Sequence, residues 1–342
     1  MKKYLYKETD DKKILHSEEF NCVFDKNDGT CLTWGKTLED DVDFNPFGCL
    51  IADFEITTIC NGVGGKLCSM CYKGNTPKGQ NMSFETFKSI ADKLPPFTQQ
   101  IAFGVDSHAT SNPDIWKIFS YCRDIGIVPN LTIADISNET ADKISQYAGS
   151  CAVSVYDNKD IAYDTIKKLT DRGMTQVNIH RCVFDDTFES TMEIIDDIKT
   201  DSRLSNLNAI VMLQLKQKGR GKDLVQLFQE QFNKLSHKCL DNDIKFGFDS
   251  CGGKKFSDFC YENDRTELLQ MITNCESTLQ SIYCDVNGHF YPCSFCEGEG
   301  NWVEGIDSKE INNFDELWNH EKIKKFRDSI QKSCGDCFMF KV

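Results

Sequence analysis

Residues 54–71 read FEITTICNGVGGKLCSMC. Its β-branched start predicts a strand, and the loop after it carries Cys60, Cys68 and Cys71. Three loop glycines allow the backbone to wrap closely around a bulky ligand. Three thiolates can hold three irons of a cubane cluster and leave the fourth iron open. The alternatives are buried unliganded thiols or structural zinc, which wants four ligands, and the nearest histidine in sequence is His108.

Short β-rich runs alternate with amphipathic helical patterns around this stretch, between about residues 50 and 250. We predict helices over Phe84–Leu94, after the N-cap Ser83, over Asn112–Ile125, with Asn112 as its cap, and over Ile161–Arg172. This alternation predicts an α/β fold with a parallel sheet, either open or curled into a full or partial barrel, and ligands at the carboxyl ends of the strands. The predicted strands are Leu50–Ile56, Gln100–Val105, Val128–Ile133, Cys151–Tyr156, Gln176–Val183, Asn208–Leu215 and Ile244–Phe248.

The bulk composition excludes some classes of partner. The chain has 342 residues and a formal net charge of −14, which argues against a mainly electrostatic grip on nucleic acid or an anionic membrane. No apolar run approaches the roughly 20 residues of a spanning helix, and the start lacks the apolar region of a signal peptide. We therefore expect a cytoplasmic protein. Among its 18 cysteines we expect metal ligands or catalytic thiols more often than disulfides.

A second cysteine group follows residue 250, where the strand–helix rhythm breaks. Its members are Cys275, Cys293, Cys334 and Cys337. The stretch 285–291 contains Asn287-Gly288 and predicts a hairpin that brings its flanking cysteines within reach of one ion or cluster. A predicted helix, Phe314–Phe326, then leads to the last two cysteines. Four thiolates suit a closed iron–sulfur cluster or structural zinc equally well. Two more cysteines are alternative ligands, namely Cys284 and Cys296.

The strand, the three-cysteine loop and the alternation after it resemble the radical S-adenosylmethionine superfamily. That superfamily usually has Cys-x3-Cys-x2-Cys with an aromatic residue before the last cysteine, whereas this chain has seven residues in the first gap and Met70 at the aromatic position. The second cysteine group resembles the twitch domain, the short form of the SPASM domain. The resemblance implies an N-terminal extension (1–49), a partial (β/α)6 TIM-like barrel (50–250) and a small cysteine-rich twitch/SPASM-like domain (251–342).

The resemblance also implies roles for individual residues. Gly104 and Asp106 stand where the superfamily's Gly-Gly-Glu motif meets the methionine amino group, although a turn role for Asp106 is an equal alternative. Ser154 stands where members of the superfamily often have a side chain that binds the ribose. Ile179 stands where their backbone commonly flanks the adenine. The alternative for both is an ordinary strand residue. Cys251 follows the last predicted strand and is a candidate hydrogen-atom donor or an ordinary thiol. Cys260 has no assigned role.

The function that the resemblance implies is radical chemistry on a substrate C–H bond. The cofactors would be a [4Fe-4S] cluster that binds S-adenosylmethionine, S-adenosylmethionine itself and one auxiliary [4Fe-4S] cluster, with an electron donor such as flavodoxin or ferredoxin. The product would be a 5′-deoxyadenosyl radical that abstracts a substrate hydrogen atom. We favour modification of a ribosomally made peptide or protein over dehydrogenation or rearrangement of a small metabolite. A non-catalytic zinc-binding protein is the alternative from a different class.

Overall fold

The computed structural model describes residues 3–333, Cys337 and Met339. Its N-terminal part is a four-stranded antiparallel sheet, in which each strand pairs with the next along the chain. Leu15 and Phe20 pack against Leu50 and Phe97 in a small separate core, so the sheet is fixed to the beginning of the larger fold. The four strands are β1 Leu5–Glu8, β2 Lys12–His16, β3 Asn21–Asp25 and β4 Cys31–Trp34.

The larger part is built on a ten-stranded sheet in the order β11-β10-β9-β8-β7-β6-β5-β12-β13-β14. Strands β5 to β11 are all parallel, β12 is parallel to β5, and β13 and β14 are antiparallel additions. The strands are β5 Ile51–Glu55, β6 Gln100–Gly104, β7 Val128–Ile133, β8 Ser150–Ser154, β9 Val177–Val183, β10 Ala209–Gln214, β11 Phe246–Phe248, β12 Ser281–Cys284, β13 His289–Tyr291 and β14 Ile306–Asp307. The seven predicted strands and the predicted hairpin are all present.

Helices follow the parallel strands in the predicted rhythm, and the main hydrophobic core lies between them and one face of the sheet. The helices are α1 Phe84–Ala91, α2 Ile115–Asp124, α3 Asn138–Tyr147, α4 Lys159–Thr170, α5 Phe188–Thr200, α6 Gln229–Asp241, α7 Gly253–Glu262, α8 Phe314–Trp318 and α9 Glu321–Lys332. Ser83 caps α1 as predicted, because its hydroxyl accepts a hydrogen bond from the amide of Thr86. The predicted mixed α/β fold with a mostly parallel sheet is confirmed.

Two helix predictions were wrong in detail. Helix α2 begins at Ile115, after Asp114 rather than Asn112. The side-chain nitrogen of Asn112 is buried and donates to the carbonyls of Ile56 and Met82, at 2.7 and 2.9 Å, so it joins two loops. Its side-chain oxygen accepts from the amide of Asp114 at 2.8 Å, in the turn that precedes the helix.

The predicted helix over Phe314–Phe326 is two helices, α8 and α9. Asn319 ends the first, because its side chain donates to the carbonyl of Asp315 at 3.0 Å. His320 then caps the second helix by accepting from the amide of Lys322 at 3.2 Å. Short-range capping therefore overrides a continuous apolar pattern.

The parallel arrangement determines where ligands can bind. Loops after β5 to β11 all leave the sheet at the same edge, where sites in such folds are found. Strand β12 lies on the other side of β5, so the C-terminal residues sit directly beside the first cysteine loop. No helix within the described part of the chain is long and apolar enough to cross a membrane.

Candidate functional site

The first cysteine loop leaves the carboxyl end of β5, as predicted. The loop contains a tight turn at residues 63–66, because the backbones of Val63 and Lys66 exchange two hydrogen bonds of 3.0 Å. The thiols of Cys68 and Cys71 interact, and the hydrogen bond from Cys68 lowers the pKa of Cys71 to about 5. Cys60 is anchored by its amide, which donates to the carbonyl of Thr76 at 2.9 Å. The loop thus presents three partly exposed thiols.

Tyr156, just after β8, lies close to all three of these thiols. Burial raises the pKa of its phenol, and charge on Cys68, Cys71 and Cys60 raises it further. Tyr156 also lines a cavity of about 460 Å³ whose wall includes Met70 of the cysteine loop. The other lining residues are mostly polar: Ser69, Asp157, Lys159, Arg181, Phe184, Asp186, Thr187, Ser190, Glu193 and Ile194. A small polar ligand placed there would contact the cysteine loop and the ends of β8 and β9.

The loop after β6 also holds the first cysteine loop in place. His108 Nε2 and the hydroxyl of Ser107 each contact the carbonyl oxygen of Gly62, at 3.1 and 2.7 Å. Asp106 is 2% exposed, and its carboxylate accepts three backbone amides, those of residues 108, 110 and 111. The geometry therefore favours the turn role for Asp106 over capture of an ammonium group. Gly104, at the exposed end of β6, leaves backbone open beside the site.

Ser154 and Ile179 lie on neighbouring strands but differ in orientation. The side chain of Ser154 is partly exposed at the end of β8, whereas that of Ile179 is fully buried in the main core. Alternation along β9 turns His180 and Cys182 to the face opposite Ile179. The backbone of Ile179 pairs with Val153 of β8 and Ile210 of β10, and the adenine contact that the resemblance implies for it stays a prediction. Burial lowers the pKa of His180 to about 4, so this side chain is neutral at physiological pH.

The second cysteine group surrounds a cavity of about 160 Å³. Three of the predicted cysteines line it, namely Cys275, Cys293 and Cys337, and Cys334 lies outside the described residues. Cys296 lines the same cavity, with its sulfur 3.4 Å from that of Cys293. The hydrogen bond from Cys296 lowers the pKa of Cys293 to about 6.

The cavity also distinguishes among the cysteines that sequence left unassigned. Cys296 belongs to the group, and its Cys-x2-Cys spacing from Cys293 was the available signal. Cys284 is fully buried within β12 and is absent from the cavity wall. Cys251 lines the cavity, and burial raises the pKa of its thiol. Cys260 is buried in α7, in the main core.

A buried ion-pair network joins the two cysteine loops. Lys73, two residues after Cys71, contacts the carboxylate of Glu55 at 3.1 Å and that of Glu297, which follows Cys296. Its ammonium also donates to the hydroxyl of Tyr283 at 2.8 Å. The phenol of the neighbouring Tyr72 donates to Ser294 at 3.0 Å. Segments more than 200 positions apart in the chain therefore meet immediately beside both groups of thiols, and no short-range pattern signals this contact.

The donor chemistry suits iron–sulfur clusters or zinc. No group of three or more Cys, His, Asp or Glu side chains within residues 3–333, Cys337 and Met339 is gathered in a single-ion arrangement. Thiolates are the ligands of both iron–sulfur clusters and structural zinc. The thiols of the first loop and those around the second cavity therefore have the right chemistry for either group.

Gly219 approaches the cysteine loop so closely that its replacement is a sharp test of this geometry. A Cβ there would lie 2.3 Å from the carbonyl oxygen of Tyr72 and 2.5 Å from that of Cys71, and its φ is +59°. Gly64 has a φ of +57° with open space around it. We expect Gly64→Ala to lower the free energy of unfolding by about 1–2 kcal/mol for the left-handed backbone alone, and Gly219→Ala to lower it clearly more. Urea titration measures both, and equal losses would contradict the close contact.

Comparison with known proteins was made by sequence and by structure. No family model matches the chain, and no curated protein matches it. Two crystal structures of Streptococcus suis SuiB, one of them bound to precursor peptide SuiA, each have a TM-score of 0.70, at 12% and 11% identity. Each alignment covers 94% of this chain and 90% of the SuiB chain. BtrN in complex with AdoMet and 2-DOIA has a TM-score of 0.47 at 10% identity, over 86% and 92% of the two chains. The chain has the fold of SuiB, which agrees with the predicted mixed α/β fold and its mostly parallel sheet.

Proposed function

We propose that this protein is a radical S-adenosylmethionine enzyme that modifies a ribosomally made peptide or protein. The observation that carries the proposal is the first cysteine loop. Its three thiols lie at the carboxyl end of β5, beside a cavity of about 460 Å³, in a chain with the fold of SuiB. When bound, the cluster and S-adenosylmethionine supply one-electron cleavage to a 5′-deoxyadenosyl radical, which takes a hydrogen atom from the substrate.

The residues of the chain have binding and orienting roles in this proposal. Cys60, Cys68 and Cys71 would hold the cluster and leave one iron for S-adenosylmethionine. The exposed backbone of Gly104, the hydroxyl of Ser154 and the backbone of Ile179 are the groups proposed to bind it. Asp106 would shape the loop rather than contact the cofactor, because its oxygens already accept backbone amides.

The second cysteine group is proposed to hold an auxiliary cluster that takes or passes an electron. Cys275, Cys293 and Cys337 line one cavity, and Cys296 on the same wall is a further ligand candidate beside the predicted Cys334, which lies outside the described residues. Cys251 remains a candidate hydrogen-atom donor, and its raised pKa keeps the thiol hydrogen in place at neutral pH. Its position on the same cavity wall would place that donor beside the auxiliary site.

The choice of a peptide substrate rests on one comparison. SuiB, whose fold the chain has, was crystallised with a precursor peptide. A small-metabolite dehydrogenase or rearrangement enzyme is the second candidate, since the described cavities alone would accept either kind of substrate.

Anaerobic purification followed by metal and product analysis tests the proposal. We expect a brown protein that contains iron and sulfide, loses its visible absorption with dithionite and forms 5′-deoxyadenosine when S-adenosylmethionine is added. Flavodoxin or ferredoxin can then replace dithionite as electron donor. A colourless protein that contains only zinc would support the non-catalytic alternative, and an intact cluster that never cleaves S-adenosylmethionine would refute radical chemistry.

A further inference from the structure

A basic segment after β10 contacts both cysteine loops. Residues 216–221 read KQKGRG, and we call them the basic strap. Its three cations alternate along the chain, and it leaves the sheet at the edge where the first cysteine loop lies. The glycines of the strap let its backbone lie close to the first cysteine loop: a Cβ on Gly221 would lie 3.3 Å from the Cα of Met70. The strap is therefore packed onto the backbone of the loop.

Arg220 donates three hydrogen bonds to segment 68–75, which carries Cys68 and Cys71. Its Nε donates to the carbonyl of Cys68 at 2.8 Å, and its Nη1 donates to the carbonyl of Asn75 at 2.9 Å. Its own amide donates to the carbonyl of Cys71 at 3.0 Å. The guanidinium also interacts with the thiol of Cys68 and the charge of Cys71. A delocalised cation with several fixed donors is suited to hold this segment and to favour negative charge on its sulfurs.

The other end of the strap contacts the loop of the second cysteine group. The ammonium of Lys218 donates to the carbonyl of Phe295 at 2.9 Å and to that of Glu297. The ammonium of Lys216 lies 4.7 Å from the centre of the Phe295 ring and pairs with Asp249. Phe295 lies between Cys293 and Cys296, so one short segment supports both sites.

We propose that the cations of the basic strap stabilise negative charge at the two cysteine sites. In this proposal Arg220 is a positioning residue that raises the reduction potential of the first cluster. This inference rests on the proposed function. Reduction adds one negative charge to a cluster, and a nearby fixed cation stabilises that charge. Charge and hydrogen bonds around the sulfurs are among the factors that set cluster potentials.

The test is a potentiometric titration of the reconstituted full-length protein, followed by electron paramagnetic resonance. The signal that changes on addition of S-adenosylmethionine identifies the first site. We expect Arg220→Gln to shift its midpoint potential to a more negative value, or to lose iron from this site. Arg220→Lys keeps the charge but not the paired donors, so a smaller shift in the same direction is expected.

Lys222→Gln is the matched control, because Lys222 is an exposed cation two residues further along. We expect the Lys222→Gln protein to have the iron content of the wild type and the same midpoint potential of the first cluster. An Arg220→Gln protein with full iron content and the wild-type midpoint overturns the inference. Should circular dichroism show that Arg220→Gln does not fold, Arg220→Met, which removes the charge and keeps an unbranched side chain, carries the test, and an unshifted midpoint there overturns the inference. Wild-type protein that assembles no iron–sulfur cluster would instead refute the proposed function, which is a distinguishable result.

Discussion

Replacement of Cys68 by alanine is expected to abolish 5′-deoxyadenosine formation and to remove the iron of the first cluster. Cys68 is the central thiol of the loop, in contact with Cys71 and held by Arg220. Two remaining thiolates leave two irons without a protein ligand, and a cubane so held is lost during purification. Product analysis by liquid chromatography, together with iron and sulfide determination, measures both losses.

Cys122→Ala is the matched control for this substitution. Cys122 is fully buried in α2 and belongs to neither cysteine group. We expect its variant to keep the iron content and the product yield of the wild type. A Cys68→Ala protein that still forms 5′-deoxyadenosine would show that the radical site lies elsewhere in the chain.

Replacement of Lys73 by methionine is expected to destabilise the protein by about 3 kcal/mol. The Lys73 side chain is 13% exposed, and its ammonium lies between the carboxylates of Glu55 and Glu297, whose side chains are 5% and 27% exposed. Its loss leaves two carboxylates close together with no cation between them. Methionine keeps most of the side-chain volume, so the change mainly removes charge. Urea unfolding at neutral pH measures the free energy of unfolding.

The pH dependence of the Lys73→Met variant has a defined sign. Burial already raises the pKa of Glu55 in the folded wild type, and Lys73 acts against that rise. Without Lys73 the pKa of Glu55 in the folded protein rises further above its value in the unfolded chain. The variant therefore loses stability as pH rises from the unfolded pKa to the folded pKa of Glu55. The deficit relative to the wild type should therefore shrink on acidification. The double variant Lys73→Met/Glu297→Gln should recover part of the stability at neutral pH, and a deficit independent of pH and of Glu297 would contradict the network.

Much of the fold follows from local patterns in the sequence. The β-rich runs became parallel strands because they are apolar and separated by helices that can cover the sheet. The position of the first cysteine loop followed from the strand before it, and the Asn287-Gly288 turn correctly indicated the hairpin of β12 and β13. Each of these features depends on residues close to one another in the chain.

The features that were missed depend on distant contacts. Asn112 lies before a helix, and its side-chain oxygen accepts from the amide of Asp114, but its side-chain nitrogen also donates to two loop carbonyls that no helix pattern reveals. Lys73 reads as a surface lysine until β12 brings Tyr283 and Glu297 beside it. Arg220 likewise lies in a polar stretch and acquires a role only when the strap packs on a loop about 150 positions earlier.

The pairing of β12 with β5 has a consequence for the order of biosynthesis. Strand β5 leads directly into the first cysteine loop, and β12 is its neighbour on one side. Until residues 281–284 emerge from the ribosome, β5 is an unprotected edge strand with open backbone donors and acceptors. A chain shortened to end before β12 keeps Cys60, Cys68 and Cys71, but we expect it to self-associate through that edge and to retain little cluster. Strand β12 thus protects the edge of the strand from which the first cysteine loop begins.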